Sequence, residues 1–197
     1  MNTPASLPTR PAAPAAAAAA RWSYTRVAIV FHWLLALLLV VMAAVGWLMM
    51  EFEDEPGVDA VFALHKSFGM LVLALVVARL AWRLTHPPQP LPSSVPLWQA
   101  RLSKLTQGVM YLVMLLIPVA GYVGASYSKE GAPFFGIATP LWATADHDTA
   151  ERFFDIHGTL IWVLVALLTF HVLGALKHLL IDKDGIFDRI LLRRSRP

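Results

Sequence analysis

Residues 154–171 read FDIHGTLIWVLVALLTFH, an apolar run with a histidine near each end. The run belongs to a longer apolar segment, 154–181, which exceeds the ~20 residues that a helix needs to cross a bilayer. His157 and His171 lie fourteen residues apart, and in an α-helix fourteen steps rise about 21 Å and return to within about 40° of the starting direction. We therefore expect both histidines on one face of a transmembrane helix, at opposite depths of the membrane.

Three further apolar segments precede this one, so that four transmembrane helices are predicted at 24–50, 60–84, 102–126 and 154–181. Backbone groups cannot remain unpaired in lipid, which requires each segment to be helical. The 57% hydrophobic content and the mean hydropathy of +0.60 are far above those of a soluble domain. The predicted fold class is all-α, a membrane four-helix bundle with an up-down-up-down order.

The remaining segments are short and biased in composition. Residues 1–20 are rich in Pro and Ala and are expected to form a disordered tail, because they bury too little apolar surface to become ordered. A signal peptide is the alternative, but the alanine run lacks the leucine-rich core of such segments. We divide the chain into this tail, a transmembrane domain 21–192 and a basic cytoplasmic tail 193–197.

The loops differ in charge, and the difference predicts the orientation. The first loop contains an acidic run from Glu51 to Glu55. The basic residues that flank the second loop and the two chain ends are Arg21, Arg26, Arg79, Arg83, Arg101, Lys104, Lys177, Lys183, Arg189, Arg193, Arg194 and Arg196. By the positive-inside rule, both termini and the second loop are expected in the cytoplasm. The acidic loop and the third loop, 127–153, are expected outside.

Composition also excludes several kinds of site. Cysteine is absent, which excludes disulfides, thiolate-bound iron–sulfur clusters, Cys-ligated zinc and haem attached covalently through cysteine. The formal net charge is only +3, and no basic face interleaved with aromatic residues occurs outside the helix flanks. We therefore expect no nucleic-acid partner. Any haem in this chain is expected to be bound non-covalently.

Four of the seven histidines lie within or at the mouths of the predicted helices. Each is a candidate functional residue, because an ionisable side chain in a membrane is costly. In an up-down bundle, His32 is level with His171 on the inner side. His65 is likewise level with His157 on the outer side. Two facing imidazoles supply both axial bonds of a haem iron, so the pairs predict two b-type haems. The alternative is a haem-free transporter or structural protein in which the histidines pair with one another.

Other residues near these histidines carry weaker signals. Gly69, Gly158 and Gly174 would let a flat porphyrin approach the backbone, although helix packing in membranes explains small residues equally well. His178 lies seven residues after His171 and so on nearly the same helix face. It is expected either to meet a substrate or to extend towards the lipid headgroups.

A resemblance to a known family is carried by residues 26–33 (RVAIVFHW), by Leu64-His65, and by Arg79, Arg83, His157 and His171. Together they resemble the bacterial cytochrome b561 family over about residues 21–192. The resemblance implies a four-helix bundle that encloses two b-type haems in the bacterial cytoplasmic (inner) membrane.

The chain is most similar to the small stand-alone members of that family. The resemblance implies a superoxide oxidase, which oxidises superoxide outside the membrane and reduces ubiquinone, with His178 at the quinone site. Residues 133–140, PFFGIATP, preceded by Lys129, resemble the matching outer loop. Lys66 and Lys129 are the candidates for guiding the superoxide anion towards the outer haem. The acidic run 51–55 opposes them, because it repels an anion.

The same fold also serves as the cytochrome subunit of hydrogenases and formate dehydrogenases. The alternative function is therefore an electron-transfer and anchor subunit, whose donor is a dehydrogenase or hydrogenase docked outside. The predicted partners are the lipid bilayer, a quinone, superoxide as donor and, in the alternative, that dehydrogenase.

Overall fold

The computed structural model describes residues 23–91, 95–139 and 142–191, so the predicted tails 1–20 and 193–197 lie outside the described residues. The described part of the chain forms four long helices, α1 (Arg26–Glu51), α2 (Val58–Thr85), α3 (Leu97–Tyr127) and α4 (His147–Lys177). Each is long and apolar enough to cross a membrane. The all-α membrane fold predicted from the sequence is confirmed.

Helix α4 begins earlier than hydropathy predicts. It begins at His147, seven residues before the predicted start. Its first turns contain Asp148 and Glu151, whose charges lower the local hydropathy without interrupting a helix. The third loop therefore ends at Asp146 rather than at residue 153.

Consecutive helices pack against each other, so that the chain runs up and down through the bundle. All four helices contribute to one buried apolar core, formed by Leu35, Val72, Val76, Met110, Val113, Met114, Ile117 and Leu164. Other large apolar side chains point outwards, and Trp162 and Phe170 of α4 are 75% and 70% exposed. Burial of such a side chain is worth about 1.5–3 kcal/mol, so a surface of this kind requires lipid rather than water around it.

Helices α1 and α4 close the bundle loosely. In the described part of the chain, the backbones of α1 and α4 hardly come close to each other, whereas the helices of each consecutive pair pack side by side. The space between them is bridged by side chains, and the histidines are among these.

One end of the bundle joins the beginning and the end of the described chain. After α4 come two short turns, a π-helical turn His178–Asp182 and a 3-10 turn Phe187–Ile190. The backbone N–H of Tyr24 donates to the carbonyl of Arg189 at 3.0 Å, and the indole N–H of Trp33 donates to the carbonyl of Ile190 at 3.0 Å. We name this the terminal end. The acidic loop and the third loop lie at the other, distal end.

Candidate functional site

The structure brings the four intramembrane histidines together in two pairs. His32 on α1 faces His171 on α4 near the terminal end, with ring centroids 6.2 Å apart. His65 on α2 faces His157 on α4 near the distal end, also at 6.2 Å. We name these the terminal pair and the distal pair. Each pair joins α4 to another helix, the terminal pair to α1 and the distal pair to α2.

The ring spacing suits a metal ion held between two imidazoles. Metal–imidazole bonds of about 2 Å put the two ring centres about 6 Å apart, because each centre lies about 1 Å beyond its nitrogen. Two imidazoles joined by a direct hydrogen bond of about 3 Å would have their centres only about 5 Å apart. The observed 6.2 Å in both pairs fits the first arrangement better. Iron binding by these four residues stays a prediction.

A cavity of about 490 Å³ lies beside the distal pair. Its walls are apolar except for a few polar side chains, among them His65, His157 and Thr169. Gly69 is also part of the lining. Cofactor sites in proteins have this volume and this combination of apolar walls with a few polar groups. The cavity therefore fits a porphyrin, whose flat face is apolar and whose metal needs nitrogen ligands.

The two imidazoles of the distal pair differ in how they are held. Nδ1 of His157 lies 2.8 Å from the carbonyl oxygen of Ile117. A carbonyl only accepts, so this nitrogen carries the proton and Nε2 is left to bind a metal. Nδ1 of His65, in contrast, is buried and has no hydrogen-bond partner among the residues that the structure describes. The backbone thus orients one ring of the pair, and packing alone orients the other.

Two glycines that sequence reasoning missed provide the room for these rings. A Cβ atom at Gly121 would lie 2.9 Å from Nδ1 of His157, and one at Gly46 would lie 3.1 Å from Cε1 of His65. Any side chain at Gly121 would push the imidazole away from its carbonyl partner. No sequence signal marks these glycines, because small residues are common at membrane helix contacts.

The glycines predicted near the haems have a different environment. A Cβ at Gly158 or at Gly174 would meet no heavy atom within 4 Å. Both positions therefore leave open surface on α4, which a flat group can approach closely. Gly69 is less open, because a Cβ there would meet the methyl group of Met42 at 4.0 Å.

A partly buried cation lies beside the terminal pair. Nη2 of Arg79 on α2 lies 3.2 Å from Nδ1 of His32, and Nε donates to the hydroxyl of Tyr111 at 2.9 Å. Nη1 of Arg79 is buried without a partner. The sequence analysis counted Arg79 among the charges that orient the chain and among the residues that carry the family resemblance, and gave it no role at the histidine pairs. Its place inside an apolar span is the signal that could have found it.

His178 opens the π-helical turn that follows α4. Its Nδ1 lies 2.7 Å from a carboxylate oxygen of Asp184 and 3.3 Å from one of Asp182. The other carboxylate oxygen of Asp184 accepts the backbone N–H of Ile186 at 3.0 Å, and Lys177 pairs with Asp182. Single π-helical turns occur frequently at functional sites. The structure thus gives His178 a fixed carboxylate partner, Asp184, which sequence reasoning did not identify.

The two lysines predicted to guide an anion differ in exposure. The ammonium group of Lys66 donates to the carbonyl of Gly131 at 3.0 Å and is partly buried. Lys129 is exposed. Lys66 therefore holds the third loop against α2, whereas Lys129 presents its charge to solvent.

Ser67 anchors the same loop. It is buried, and its hydroxyl accepts the backbone N–H of Phe135 at 2.9 Å and donates to the carbonyl of Ala63 at 2.8 Å. Phe135 has a left-handed φ of 46°, which a non-glycine residue adopts only when its surroundings hold it there. The loop therefore has a fixed position over the distal end.

Comparison with known proteins identifies the family of the chain. Residues 23–192 match the family described as prokaryotic cytochrome b561. The chain is 34% identical to cytochrome b561 homolog 2 of Escherichia coli (strain K12), over 87% of this chain and 93% of the relative. It is 25% identical to the probable superoxide oxidase CybB of Yersinia pestis, over 87% of this chain and 97% of that protein. The chain therefore belongs to the prokaryotic cytochrome b561 family.

Proposed function

We propose that this protein carries electrons across the bacterial cytoplasmic membrane through two non-covalent b-type haems. Its family makes it a membrane electron carrier with b-type haem. The proposal of two haems is supported by two imidazole pairs with the same 6.2 Å ring spacing, one near each end of the bundle. In this proposal the terminal pair, His32 and His171, holds the inner haem, and the distal pair, His65 and His157, holds the outer haem.

The orientation is part of the proposal. The first and last described residues, 23 and 191, and the described ends of the second loop lie at the terminal end, and the sequence flanking them is rich in Arg and Lys. The acidic run Glu51 to Glu55 lies at the distal end. The positive-inside rule then places the terminal end in the cytoplasm. A topology reporter fused after Pro197 should be active only as a cytoplasmic marker, and activity outside would exchange the two haem assignments.

We propose superoxide as the donor and ubiquinone as the acceptor. Support comes from the family and from the similarity to a relative whose name is probable superoxide oxidase. Two superoxide ions each lose one electron at the distal end and become dioxygen. The two electrons pass from the distal pair to the terminal pair, about 21 Å along α4, and reduce one quinone to quinol. That step takes up two protons.

The proton uptake is assigned to His178. The residue lies seven positions after His171, or about 10 Å further towards the terminal end. The bond from Nδ1 of His178 to Asp184 fixes the tautomer, so that Nε2 is the nitrogen that faces a substrate. An imidazole held in one orientation by a carboxylate can pass a proton to a quinone oxygen.

The experiment that tests this function is reduction of the purified protein by a superoxide-generating system. The haem absorption bands should become reduced, addition of a superoxide dismutase should prevent the reduction, and ubiquinone should reoxidise the bands. Reduction by dithionite serves as the control that the haems are competent. If the superoxide-generating system reduces the haems equally fast with and without dismutase, the oxidase proposal is wrong.

A second function is favoured by the charges at the distal end. Lys66 is engaged with a loop carbonyl, and the exposed acidic run opposes the approach of an anion. These observations favour an electron-transfer subunit whose donor is a dehydrogenase or hydrogenase docked outside. Purification under mild detergent conditions discriminates the two functions, because a subunit should be recovered with its catalytic partner and should be reduced by that partner's substrate.

A further inference from the structure

The guanidinium of Arg79 lies inside the bundle without an anion. Arginine stays charged in proteins, and a buried charge is stable only when a counter-charge and hydrogen bonds compensate its loss of water. Among residues 23–91, 95–139 and 142–191, no carboxylate forms an ion pair with Arg79. Its neutral partners are Tyr111 and His32, and its Nη1 has no partner. Among the described residues, the guanidinium therefore has neutral hydrogen-bond partners but no counter-charge beside the terminal pair.

The contact between Arg79 and His32 is incompatible with metal binding by His32. Every guanidinium nitrogen is a donor, so Nη2 can approach Nδ1 of His32 only while that nitrogen has a free lone pair. The proton of the neutral ring then lies on Nε2, which cannot bind a metal. If Nε2 is instead the metal ligand, Nδ1 carries the proton and faces another donor. If Nδ1 is the ligand, its lone pair is already used.

We propose that in the haem-bound protein the guanidinium of Arg79 pairs with a propionate of the haem held by the terminal pair, in place of Nδ1 of His32. A propionate carboxylate is the anion that a haem brings to this position, and a guanidinium binds carboxylates through two parallel hydrogen bonds. The pairing gives Nη1 a partner and frees His32 for iron. This inference rests on the proposed function only in requiring a haem at the terminal pair.

The same pairing sets the direction of electron flow. A buried positive charge stabilises the form of a nearby haem that holds one more electron, and so raises its midpoint potential. Arg79 lies within Coulombic reach of both His32 and His171. Beside the distal pair, the group found at hydrogen-bond distance is a neutral backbone carbonyl, that of Ile117, and the nearest lysine in sequence, Lys66, is turned to a loop carbonyl. Electrons therefore favour the terminal haem over the distal haem.

A spectroelectrochemical titration of the purified holoprotein tests the inference. Arg79→Gln should lower the midpoint potential of the terminal haem by about 59 mV or more. For a one-electron couple, this is about a tenfold change in the equilibrium between the oxidised and reduced forms. Arg79→Lys keeps the charge and should restore most of the potential. Arg83→Gln is the matched control, because Arg83 lies one turn further along α2 and already donates to Gln107 at 2.7 Å. It should leave both midpoint potentials unchanged.

A second readout applies to Arg79→Lys even if Arg79→Gln loses haem. The redox-difference infrared bands of the propionates should move in Arg79→Lys and stay in place in Arg83→Gln. Propionate bands and potentials that match wild type in a two-haem Arg79→Lys or Arg79→Gln protein would overturn the role of Arg79 while leaving the proposed function intact. A wild-type protein without a haem at His32 and His171 would instead contradict the proposed function itself.

Discussion

The terminal and distal histidine pairs share a ring spacing of 6.2 Å but have different surroundings. Beside the terminal pair lie a buried guanidinium and a tyrosine hydroxyl, contributed by Arg79 and Tyr111. Beside the distal pair lie an apolar cavity, a backbone carbonyl and two close glycines. The ring spacing of both pairs therefore suits a metal ion, and metal binding by either pair remains a prediction. The neighbouring groups, and not the histidines, make the two sites electrostatically unequal.

The largest expected effect separates the two pairs completely. His171→Ala should remove the inner haem and leave the outer one, because the ligands of the two sites are about 21 Å apart along α4. Haem content from the pyridine haemochrome spectrum, together with helix content from circular dichroism, measures this. Loss of both haems with the helices intact would mean that the sites are not independent.

The next effect concerns the glycines of the distal pair. Gly121→Ala should cost most of the distal haem while keeping the terminal one, because the added Cβ would lie 2.9 Å from Nδ1 of His157. Gly108→Ala is the control on the same helix, since a Cβ there meets nothing within 4 Å and Ala favours a helix by about 1 kcal/mol over Gly. Full haem occupancy in Gly121→Ala would show that the His157 imidazole can move aside without losing the haem.

The quinone end should respond separately from both haems. His178→Ala should spare haem reduction and slow the reoxidation by ubiquinone by about tenfold or more, as loss of a general acid does. Asp184→Asn should give a smaller effect in the same direction, because it weakens the hold on His178 without removing the ring. Stopped-flow reoxidation of dithionite-reduced protein measures this step without superoxide. Wild-type rates in both variants would make His178 an interfacial side chain only.

The smallest expected effect lies at the entry to the distal pair. Lys129→Glu should slow reduction by superoxide about twofold to tenfold and leave the haem spectrum intact, because an anion is steered by local positive potential. Lys66→Glu should slow it too, and should also loosen the loop held at Gly131. Rates should fall as salt shortens the Debye length to ~10 Å at 0.1 M. Lys104→Glu, at the terminal end, is the control, and an equal effect there would exclude local steering.

Much of the fold and the histidine placement could be predicted from the sequence. The four helices follow from apolar length, and the facing positions of His157 and His171 follow from helical periodicity alone. The start of α4 could not be predicted from hydropathy, because Asp148 and Glu151 lie in its first turns. Charge outside the membrane says nothing about whether the helix continues there.

The partners of the site residues could not be predicted, because they come from other helices or from irregular turns. Arg79 reaches His32 across 47 positions of sequence, and His157 reaches Ile117 across 40. Asp184 meets His178 only because a π-helical turn is followed by Lys183 and Gly185, which have left-handed φ values of 50° and 77°. The periodicity of a sequence describes regular helices, so it does not predict contacts that depend on an irregular turn or on a residue from another helix.

The proposed electron path requires two haems in each chain. The pyridine haemochrome assay on purified wild-type protein, combined with a quantitative protein determination, measures that number, and the optical spectrum reports the spin state. Two haems per chain, both low-spin as expected for two imidazole ligands each, are the predicted result. One haem per chain, no haem, or a high-spin centre would contradict the assignment of both histidine pairs as axial ligands.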